Sequence, residues 1–505
     1  MRTKLKSIYI LVIAFFFNKD TLFAQGNLNV SSEISDASID SFGFIDKKFN
    51  FIQFSDRTVG DQFTALFQKA KSQKITIAHF GDSHVQLDHF PSKTRSVLQK
   101  KYGNAGRGMC FPFSIAKTYS HTDLSSRFYG QWTTANSIQI PPKLPVGISG
   151  FVAETNDDSS SITLVFSGQA IQQKVNVRLF LHSENNNHDI ELISGSKKII
   201  SNHDHLNELH REVFAFEKGE WNDTLICTFK QKGIGKLSLY GISLEHDAPG
   251  ILYHNLGVGG AIYAALLQQI YFDEQIPVVQ PDLFILDWGT NDIIYKNQLA
   301  DSLENTIRKT ILKIRKACPN TLILLTNVQD MNWKGKNVTA CKTFSALIRK
   351  IASEEHCLFY DWFSVSGGKN TMSSWEKWGL GRKDNIHLTA KGYHLKGQLL
   401  SEAIENTLSK MEQGAVPYRL IVEENPIIGY QFQSDVPWTN TPDPSKQKTK
   451  KQTVQKTKST KSYTVKNGDQ LISIARKNHT TVEAIKKKNG LKTDRIKPGQ
   501  RLVIP

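Results

Sequence analysis

Two patterns of hydrophobic and polar residues alternate along most of the chain. Short, strongly apolar runs at Lys74–Phe80, Asp282–Asp287 and Thr321–Thr326 are typical of strands buried on both faces. Between these runs, apolar residues recur every three or four positions, as in amphipathic helices. We therefore predict an α/β fold with a parallel sheet and helices on both faces. The predicted helices are residues 62–71, 91–102, 302–318, 344–356 and 390–411, and a further short strand is residues 358–361.

The pattern changes between residues 131 and 247, where apolar and polar residues alternate strictly in short segments. These segments are residues 161–166, 174–181, 224–229 and 236–240, and turn residues separate them. Several short alternating strands are typical of a β-sandwich. We therefore predict a β-sandwich domain at 131–247, inserted between two parts of the α/β domain at 25–130 and 248–412.

The two ends of the chain differ from the body. Residues 1–24 contain basic residues, a short apolar run and Ala24, which is the pattern of a cleaved secretory signal peptide. The run is too short for a membrane span, so we expect no stable membrane insertion. Residues 413–461 are an extension and a segment rich in Lys, Thr, Pro and Gln, which predicts a disordered linker. Apolar residues return in 462–505, which predicts a small folded module.

Charge is concentrated at the C-terminal end of the 505 residues. Residues 446–505 contain 17 Lys and Arg and 3 Asp and Glu, and they account for most of the formal net charge of +16. A basic tail of this kind can bind an anionic polymer or serve only as a soluble spacer. The body is close to neutral, and we expect no nucleic-acid partner.

Cysteine, histidine and tryptophan residues give weaker signals. The irregular spacing of the five cysteines predicts neither a disulfide framework nor a zinc ribbon, and it slightly favours free thiols over one or two bridges. The His- and Asp-containing segment 203–210 matches no zinc motif, so we expect no metal and no cofactor. Trp132 and Trp221 are able to stack on sugars, although core packing is the commoner role of tryptophan.

Four segments at the ends of predicted strands or at the start of a helix contain residues suited to catalysis. They are Gly81–His84, His254–Ala261, Trp288–Asp292 and Asp384–Thr389. In this order they offer a serine after a tight glycine turn, glycine-rich backbone, an Asn amide and an Asp-x-x-His pair. Each segment alone is equally typical of an ordinary turn or helix cap. Their combination in this order is the informative feature.

Together these segments resemble the motifs of the GDSL-like, or SGNH, hydrolase family, and the resemblance covers about residues 74–130 and 250–410. It implies a flavodoxin-like α/β fold and a carboxylic ester hydrolase that needs no cofactor. The nucleophile motif Gly-x-Ser-x-Gly of the α/β-hydrolases is absent from the Ser83 segment, which argues against that family.

The resemblance also implies a role for each matching residue. Ser83 is the expected nucleophile, His387 its base and Asp384 the carboxylate that orients His387. The expected oxyanion-hole donors are the N–H groups of Ser83 and Gly260 and the side-chain amide of Asn291. The motif leaves the choice between Gly260 and its neighbour Gly259 open.

One branch of this family matches more closely than the rest. His84, together with Gly103–Gly108, resembles the peptidoglycan O-acetylesterases, in which a β-domain like a carbohydrate-binding module interrupts the catalytic domain. The resemblance implies a monomeric esterase of the cell envelope or periplasm that removes O-acetyl groups from peptidoglycan. An esterase acting on another acetylated polysaccharide or acyl ester, and a non-catalytic peptidoglycan-binding scaffold, are the alternatives.

The C-terminal module, residues 462–505, resembles a LysM domain. Its pattern predicts strand, helix, helix and strand, with Asn489-Gly490 ending the second helix. The resemblance implies binding of N-acetylglucosamine-containing glycans such as peptidoglycan, in a groove between two loops. The glycan-binding residues that it implies are Gly468, Asp469, Gln470, Leu471, Gly490, Leu491, Ile496 and Pro498. Gly468, Asp469 and Gly490, together with Asn489, are equally suited to serve simply as helix caps.

Overall fold

The computed structural model describes residues 42–167, 173–201 and 211–414 and parts of residues 462–503. The chain divides into two compact units, residues 1–438 and 439–505. The predicted signal peptide, the 203–210 segment and almost all of the predicted linker lie outside the described residues.

The first unit contains 19 described strands and 11 described α-helices. The strands are β1 Ile52–Gln53, β2 Lys74–Gly81, β3 Gly108–Cys110, β4 Leu124–Tyr129, β5 Thr133–Asn136, β6 Phe151–Thr155, β7 Ser159–Phe166, β8 Val175–Ser183, β9 His188–Ser194, β10 Lys197–Ile200, β11 Arg211–Phe216, β12 Thr224–Gln231, β13 Leu237–Glu245, β14 Gly250–Gly257, β15 Leu283–Asp287, β16 Leu322–Thr326, β17 Asn332–Trp333, β18 Lys336–Asn337 and β19 Leu358–Tyr360. The helices are α1 Arg57–Lys69, α2 Ser83–Gln86, α3 His89–Tyr102, α4 Ala264–Leu267, α5 Phe272–Val279, α6 Thr290–Ile293, α7 Leu303–Ala317, α8 Ala340–Glu354, α9 Trp362–Val365, α10 Met372–Lys377 and α11 Ala390–Glu412.

The central sheet has the order β1-β19-β16-β15-β2-β14, in which only the edge strand β1 is antiparallel. Successive side chains of β2 enter two different cores: Ile75 and Ile77 pack with α1, α3 and α11, whereas Ala78 and Phe80 belong to the core that contains α7 and α8. Burial on both faces explains the apolar runs in the sequence. The predicted parallel sheet with helices on both faces is confirmed.

Side-chain caps decide where two of the long helices begin. Asp56 accepts a hydrogen bond from the Val59 N–H, so α1 starts at Arg57, five residues before the position that the apolar spacing predicts. Thr389 caps α11 in the same way through the Gly392 N–H.

The predicted β-sandwich is present and consists of two antiparallel sheets, ordered β10-β9-β12-β7-β4 and β11-β8-β13-β6-β5. Its first strand, β4, begins at Leu124, so the sandwich starts before residue 131. Strand β3 pairs with β13, and the Met109 N–H donates to Nδ1 of His254 in β14 at 3.0 Å. These contacts attach the sandwich to the edge of the parallel sheet.

The second unit has strands β20 Ser462–Thr464 and β21 Arg501–Val503, which pair antiparallel, and helix α12 Val482–Asn489. Its core consists of Val465, Leu471, Ile474, Ala475, Ile485 and Leu502. In the part of the chain that the structure describes, no helix has the length and apolar character needed to span a membrane.

Candidate active site

Three of the four predicted segments meet because their strands end at the same level of the sheet. Gly81 at the end of β2 pairs with Gly257 at the end of β14 on one side and with Asp287 at the end of β15 on the other. The segments after these strands therefore project from the same carboxyl edge, where open α/β sheets bind their ligands.

The fourth segment completes a chain of hydrogen bonds at this edge. Oγ of Ser83 lies 2.9 Å from Nε2 of His387, and Nδ1 of His387 lies 2.9 Å from Oδ2 of Asp384. The other carboxylate oxygen, Oδ1 of Asp384, accepts the backbone N–H groups of Ile386 and His387, each at 2.9 Å. The structure thus brings together residues that are 304 positions apart in sequence.

The Asp384 carboxylate is stabilised in its charged form. Partial burial raises its pKa, but hydrogen bonds from His387 and from two backbone N–H groups outweigh that effect and lower the pKa to about 2. An ionised carboxylate accepts a hydrogen bond from a protonated Nδ1 of His387, which leaves Nε2 free to accept a proton from Ser83.

The turn before Ser83 requires glycine for steric reasons. A Cβ atom on Gly81 would lie 2.2 Å from Cγ2 of Val85 and 2.9 Å from the Asp287 carbonyl oxygen. Asp82 then caps the short helix α2 by accepting the His84 N–H at 2.9 Å. Ser83 is the first residue of α2, and within the described ranges its own N–H has no hydrogen-bond acceptor.

The glycine-rich segment presents one free donor beside Ser83. The Gly259 N–H donates to Oε1 of Gln86 at 2.6 Å, whereas the Gly260 N–H has no acceptor among the described residues. Gly260 has a φ of +84°, a conformation that glycine adopts without strain. A Cβ on Gly259 would lie 4.0 Å from Cβ of Ser83, so the segment is adjacent to the serine.

The side-chain amide of Asn291 is the third candidate donor near Ser83. Its Nδ2 donates to the Ala261 carbonyl at 3.0 Å and makes a longer contact of 3.4 Å with Oδ2 of Asp82. The amide is therefore held between the glycine-rich segment and the residue that precedes Ser83.

Gln86 is part of the site, although its position in the sequence gave no sign of it. Its side chain is 1% exposed, and its Nε2 donates to the Tyr119 carbonyl at 2.7 Å and to Oγ1 of Thr118 at 3.1 Å. Because its Oε1 also holds the Gly259 N–H, Gln86 links the glycine-rich segment to residues 118–119. Its place one turn after Ser83 on α2 becomes informative only when the partners are known.

His84, which the sequence marked only as a branch feature, packs against His387. The two imidazole rings are stacked with centroids 5.1 Å apart, and Nδ1 of His84 lies 2.9 Å from the Tyr393 hydroxyl. Burial and the neighbouring His387 lower the pKa of His84 well below its usual range. A neutral ring therefore supports one face of His387.

A buried ion pair lies among the strand ends and was not predicted. Nζ of Lys396 lies 2.9 Å from Oδ2 of Asp287, and both side chains are almost fully buried. Burial raises the pKa of Asp287, but the Lys396 ammonium and His79 lower it by a larger amount. The pKa therefore lies below its usual range, and the carboxylate is ionised. The pair connects α11 to the end of β15.

Other sequence candidates have structural roles. Trp221 packs against Phe166 and Phe216 in the sandwich core, and the Trp132 indole contacts Phe229. All five cysteines are free thiols, as the sequence favoured.

One group of potential metal ligands, Asp88, His121 and Asp123, lies close together in the described part of the chain. Arg95 and Arg107 already bind these two carboxylates, which compensates their charge.

In the second unit, the residues predicted to bind glycans fall into three groups. Leu471 is buried in the core, and Leu491 and Ile496 pack partly buried against it. Gly490 has a φ of +66° directly after α12, as expected for a residue that ends a helix. The remaining four, Gly468, Asp469, Gln470 and Pro498, lie outside the described residues.

Two segments of the chain match known protein families. Residues 240–395 match the GDSL-like Lipase/Acylhydrolase family, and residues 463–505 match the LysM domain. The first match includes Gly260, Asn291, Asp384 and His387 but not Ser83, which lies on the other side of the inserted sandwich. The chain thus contains a GDSL-like acylhydrolase domain and a LysM domain.

Solved structures to which the chain is similar include a peptidoglycan O-acetylesterase, which is 21% identical, has a TM-score of 0.59, and aligns over 71% of this chain and 99% of the other. A family two carbohydrate esterase from Clostridium thermocellum, solved with cellohexaose, is 10% identical over 56% of this chain and 99% of its own, with a TM-score of 0.26. An acetylxylan esterase from Geobacillus stearothermophilus is 18% identical over 31% of this chain and 73% of its own, with a TM-score of 0.26. No curated protein sequence matches the chain.

Proposed function

We propose that the protein is a secreted serine esterase that removes O-acetyl groups from peptidoglycan, and that its LysM domain holds it at the cell envelope. The observation that carries the proposal is the continuous hydrogen-bonded chain from Ser83 through His387 to Asp384, with a distance of 2.9 Å at each step. This is the arrangement that a serine nucleophile needs for activation.

In the first half of the reaction, Nε2 of His387 takes the proton from Oγ of Ser83 as the oxygen attacks the acetyl carbonyl carbon. Asp384 stabilises the imidazolium that forms and keeps Nδ1 protonated. The bond between the acetyl carbon and the sugar oxygen then breaks, and His387 gives its proton to the departing sugar oxygen, which leaves as a hydroxyl. The acetyl group is left as an ester on Ser83.

The negative charge of the tetrahedral intermediate requires donors beside Oγ. The free N–H groups of Ser83 and Gly260 fit this role, and the Gly259 N–H does not, since it already donates to Gln86. Nδ2 of Asn291 carries two N–H groups: one donates to the Ala261 carbonyl, and the other, whose contact with Asp82 is long at 3.4 Å, supplies the third donor. Losing one such donor typically lowers kcat by about 10²–10³-fold.

In the second half, His387 takes a proton from water, and the resulting hydroxide attacks the acetyl carbon. The Ser83–acetyl bond breaks, acetate leaves, and His387 returns the proton to Ser83. The neutral His84 ring stacked on His387 supports this cycle, because it adds no positive charge beside the imidazolium.

Three features support peptidoglycan as the substrate. The similar structure that covers most of this chain is a peptidoglycan O-acetylesterase. The LysM domain belongs to a family that binds N-acetylglucosamine-containing glycans. The pattern of residues 1–24 would direct the chain across the membrane to the compartment where this polymer lies.

Acetate release tests the proposal. The mature protein is incubated with O-acetylated peptidoglycan and with the same material after alkaline removal of its O-acetyl groups. We expect acetate from the first substrate alone, and none from the Ser83→Ala variant. Acetate released from acetylated xylan but not from peptidoglycan would assign the enzyme to another polysaccharide.

A pull-down with insoluble peptidoglycan separates binding from turnover. We expect Ser83→Ala to bind as well as the unmodified protein, since the LysM domain is intact. If both proteins bind peptidoglycan and neither hydrolyses 4-nitrophenyl acetate, the protein is a binding scaffold and the esterase proposal is wrong.

A further inference from the structure

Two aromatic side chains are paired at the surface of the α/β domain. The rings of Tyr295 and Trp333 are perpendicular, at 89°, with centroids 5.4 Å apart. Tyr295 is 60% exposed, and Trp333 is partly buried. An aromatic residue with this much exposed surface has not been placed there by core packing.

The backbone connects this pair to both sides of the candidate active site. Trp333 lies in the β17–β18 hairpin, and the N–H of the adjacent Asn332 donates to the carbonyl of Asn385 at 2.9 Å. Asn385 is the residue between Asp384 and the Ile386–His387 pair. Tyr295 follows Asn291 by four residues and lies two residues after the end of α6. The aromatic pair therefore joins the His387 loop to the Asn291 helix.

The hairpin is held firmly in this position. The Val338 N–H donates to the Met331 carbonyl, and Nδ2 of Asn337 donates to Oδ1 of the buried Asp330 at 2.7 Å. Oδ2 of Asp330 accepts the Met372 N–H at 3.1 Å. A surface fixed by such contacts loses little conformational entropy when it binds a ligand.

The charges around the pair indicate the kind of ligand. Lys296, Lys334 and Lys336 are exposed, and within the described residues none of them forms a salt bridge. The ammonium of Lys334 lies 5.7 Å from the centre of the Trp333 ring. An aromatic surface with nearby unpaired cations suits a ligand that has both apolar C–H faces and carboxylates.

We infer that Tyr295 and Trp333 form a sugar-binding subsite for a neighbouring unit of a carboxylate-bearing glycan strand, beside the residues that remove the acetyl group. The inference rests on the proposed function and deepens it. The sugar ring packs its C–H face on the aromatic pair, and the lysines attract the carboxylates of the peptides that peptidoglycan carries. A small acetyl ester has no second sugar unit to occupy this subsite, so only a glycan benefits from it.

The test compares a glycan with a small ester for the full-length protein. The values of kcat/KM are measured for soluble O-acetylated peptidoglycan fragments and for 4-nitrophenyl acetate, and their ratio is taken. We expect Tyr295→Ala and Trp333→Leu each to lower the ratio about tenfold, mainly through KM for the glycan. Lys334→Ser should lower it less, and its effect should disappear at high salt.

Tyr129→Ala is the matched control, because Tyr129 is 71% exposed on β4 of the sandwich, away from this hairpin. Thermal unfolding of each variant confirms that it is folded. An unchanged ratio in Tyr295→Ala, or an equal decrease in Tyr129→Ala, overturns the subsite. An unmodified protein that hydrolyses the small ester but releases no acetate from the glycan overturns the proposed substrate instead.

Discussion

The two oxygens of Asp384 have different partners, and this makes the Asp384→Asn variant a strict test of the mechanism. Oδ1 accepts two backbone N–H groups, from Ile386 and His387, and Oδ2 faces Nδ1 of His387. An asparagine amide has a single oxygen. If its NH2 group took the Oδ1 position, two backbone donors would point at a third donor.

The amide oxygen is therefore expected to occupy the Oδ1 position, with the NH2 group facing His387. Two hydrogen bonds at about 1 kcal/mol each favour that orientation by about 2 kcal/mol, or roughly 30-fold. Nδ1 of His387 must then accept a hydrogen bond from this NH2 group instead of donating one. The proton moves to Nε2, which can no longer take the proton of Ser83.

Hydrolysis of 4-nitrophenyl acetate by the purified protein measures the consequence. We expect kcat to fall about 10³–10⁴-fold in Asp384→Asn, because the wrong tautomer is added to the loss of the carboxylate charge. Asp384→Ala should keep more activity than Asp384→Asn, since it leaves Nδ1 of His387 open to water and imposes no tautomer.

The comparison is demanding because the alanine variant also loses both backbone hydrogen bonds of the loop. Thermal unfolding of both variants serves as the control for folding. If Asp384→Asn is as active as Asp384→Ala, or within tenfold of the unmodified protein, the tautomer reasoning is wrong.

Three further predictions concern residues that surround Ser83. Gln86→Met should lower kcat on 4-nitrophenyl acetate about tenfold with a small change in KM, because the Gly259 N–H loses its acceptor; an unchanged kcat would contradict the positioning role of Gln86. Lys396→Met should lower the unfolding free energy in urea by about 3–5 kcal/mol, since Asp287 is left buried without its cation. The double variant Lys396→Met with Asp287→Leu should regain much of this loss. If the double variant is as unstable as Lys396→Met alone, the ion pair does not have this role. Burial raises the pKa of Asp82 to about 7 in the folded protein, so its contribution to stability is complete below about pH 4 and is lost as the pH rises from there through 7. Relative to Asp82→Asn, the unmodified protein should lose unfolding free energy between about pH 4 and pH 7, and a difference that is constant with pH would refute this.

The sequence alone determined the elements and the chemically apt residues. The apolar runs of the parallel strands reflect burial on two faces, and the alternating segments of the sandwich reflect burial on one, so both patterns are visible without coordinates. The resemblance to the GDSL-like family, which rests on the order of the four motifs, implied the roles of Ser83, His387 and Asp384, and the structure joins these residues by hydrogen bonds of 2.9 Å. The chemistry of each residue is a local property and is visible in the sequence, whereas the contact between Ser83 and His387 is not.

Helix starts and contacts between distant segments required the structure. The start of α1 depends on one side-chain cap at Asp56, which apolar spacing does not register. Gly259 and Gly260 are indistinguishable in sequence, and only the position of Gln86 Oε1 shows which N–H group is left free. The pairings of Lys396 with Asp287 and of Tyr295 with Trp333 likewise join residues from separate elements.

Ser83 shows where the division lies. The sequence marked it as a candidate nucleophile, because a serine after a glycine turn at a strand end has suitable local chemistry. Its base lies 304 residues away, beyond an inserted domain, and residue spacing contains no information on that distance in space. Strand register determines it, since β2, β14 and β15 end together and deliver their loops to one edge of the sheet.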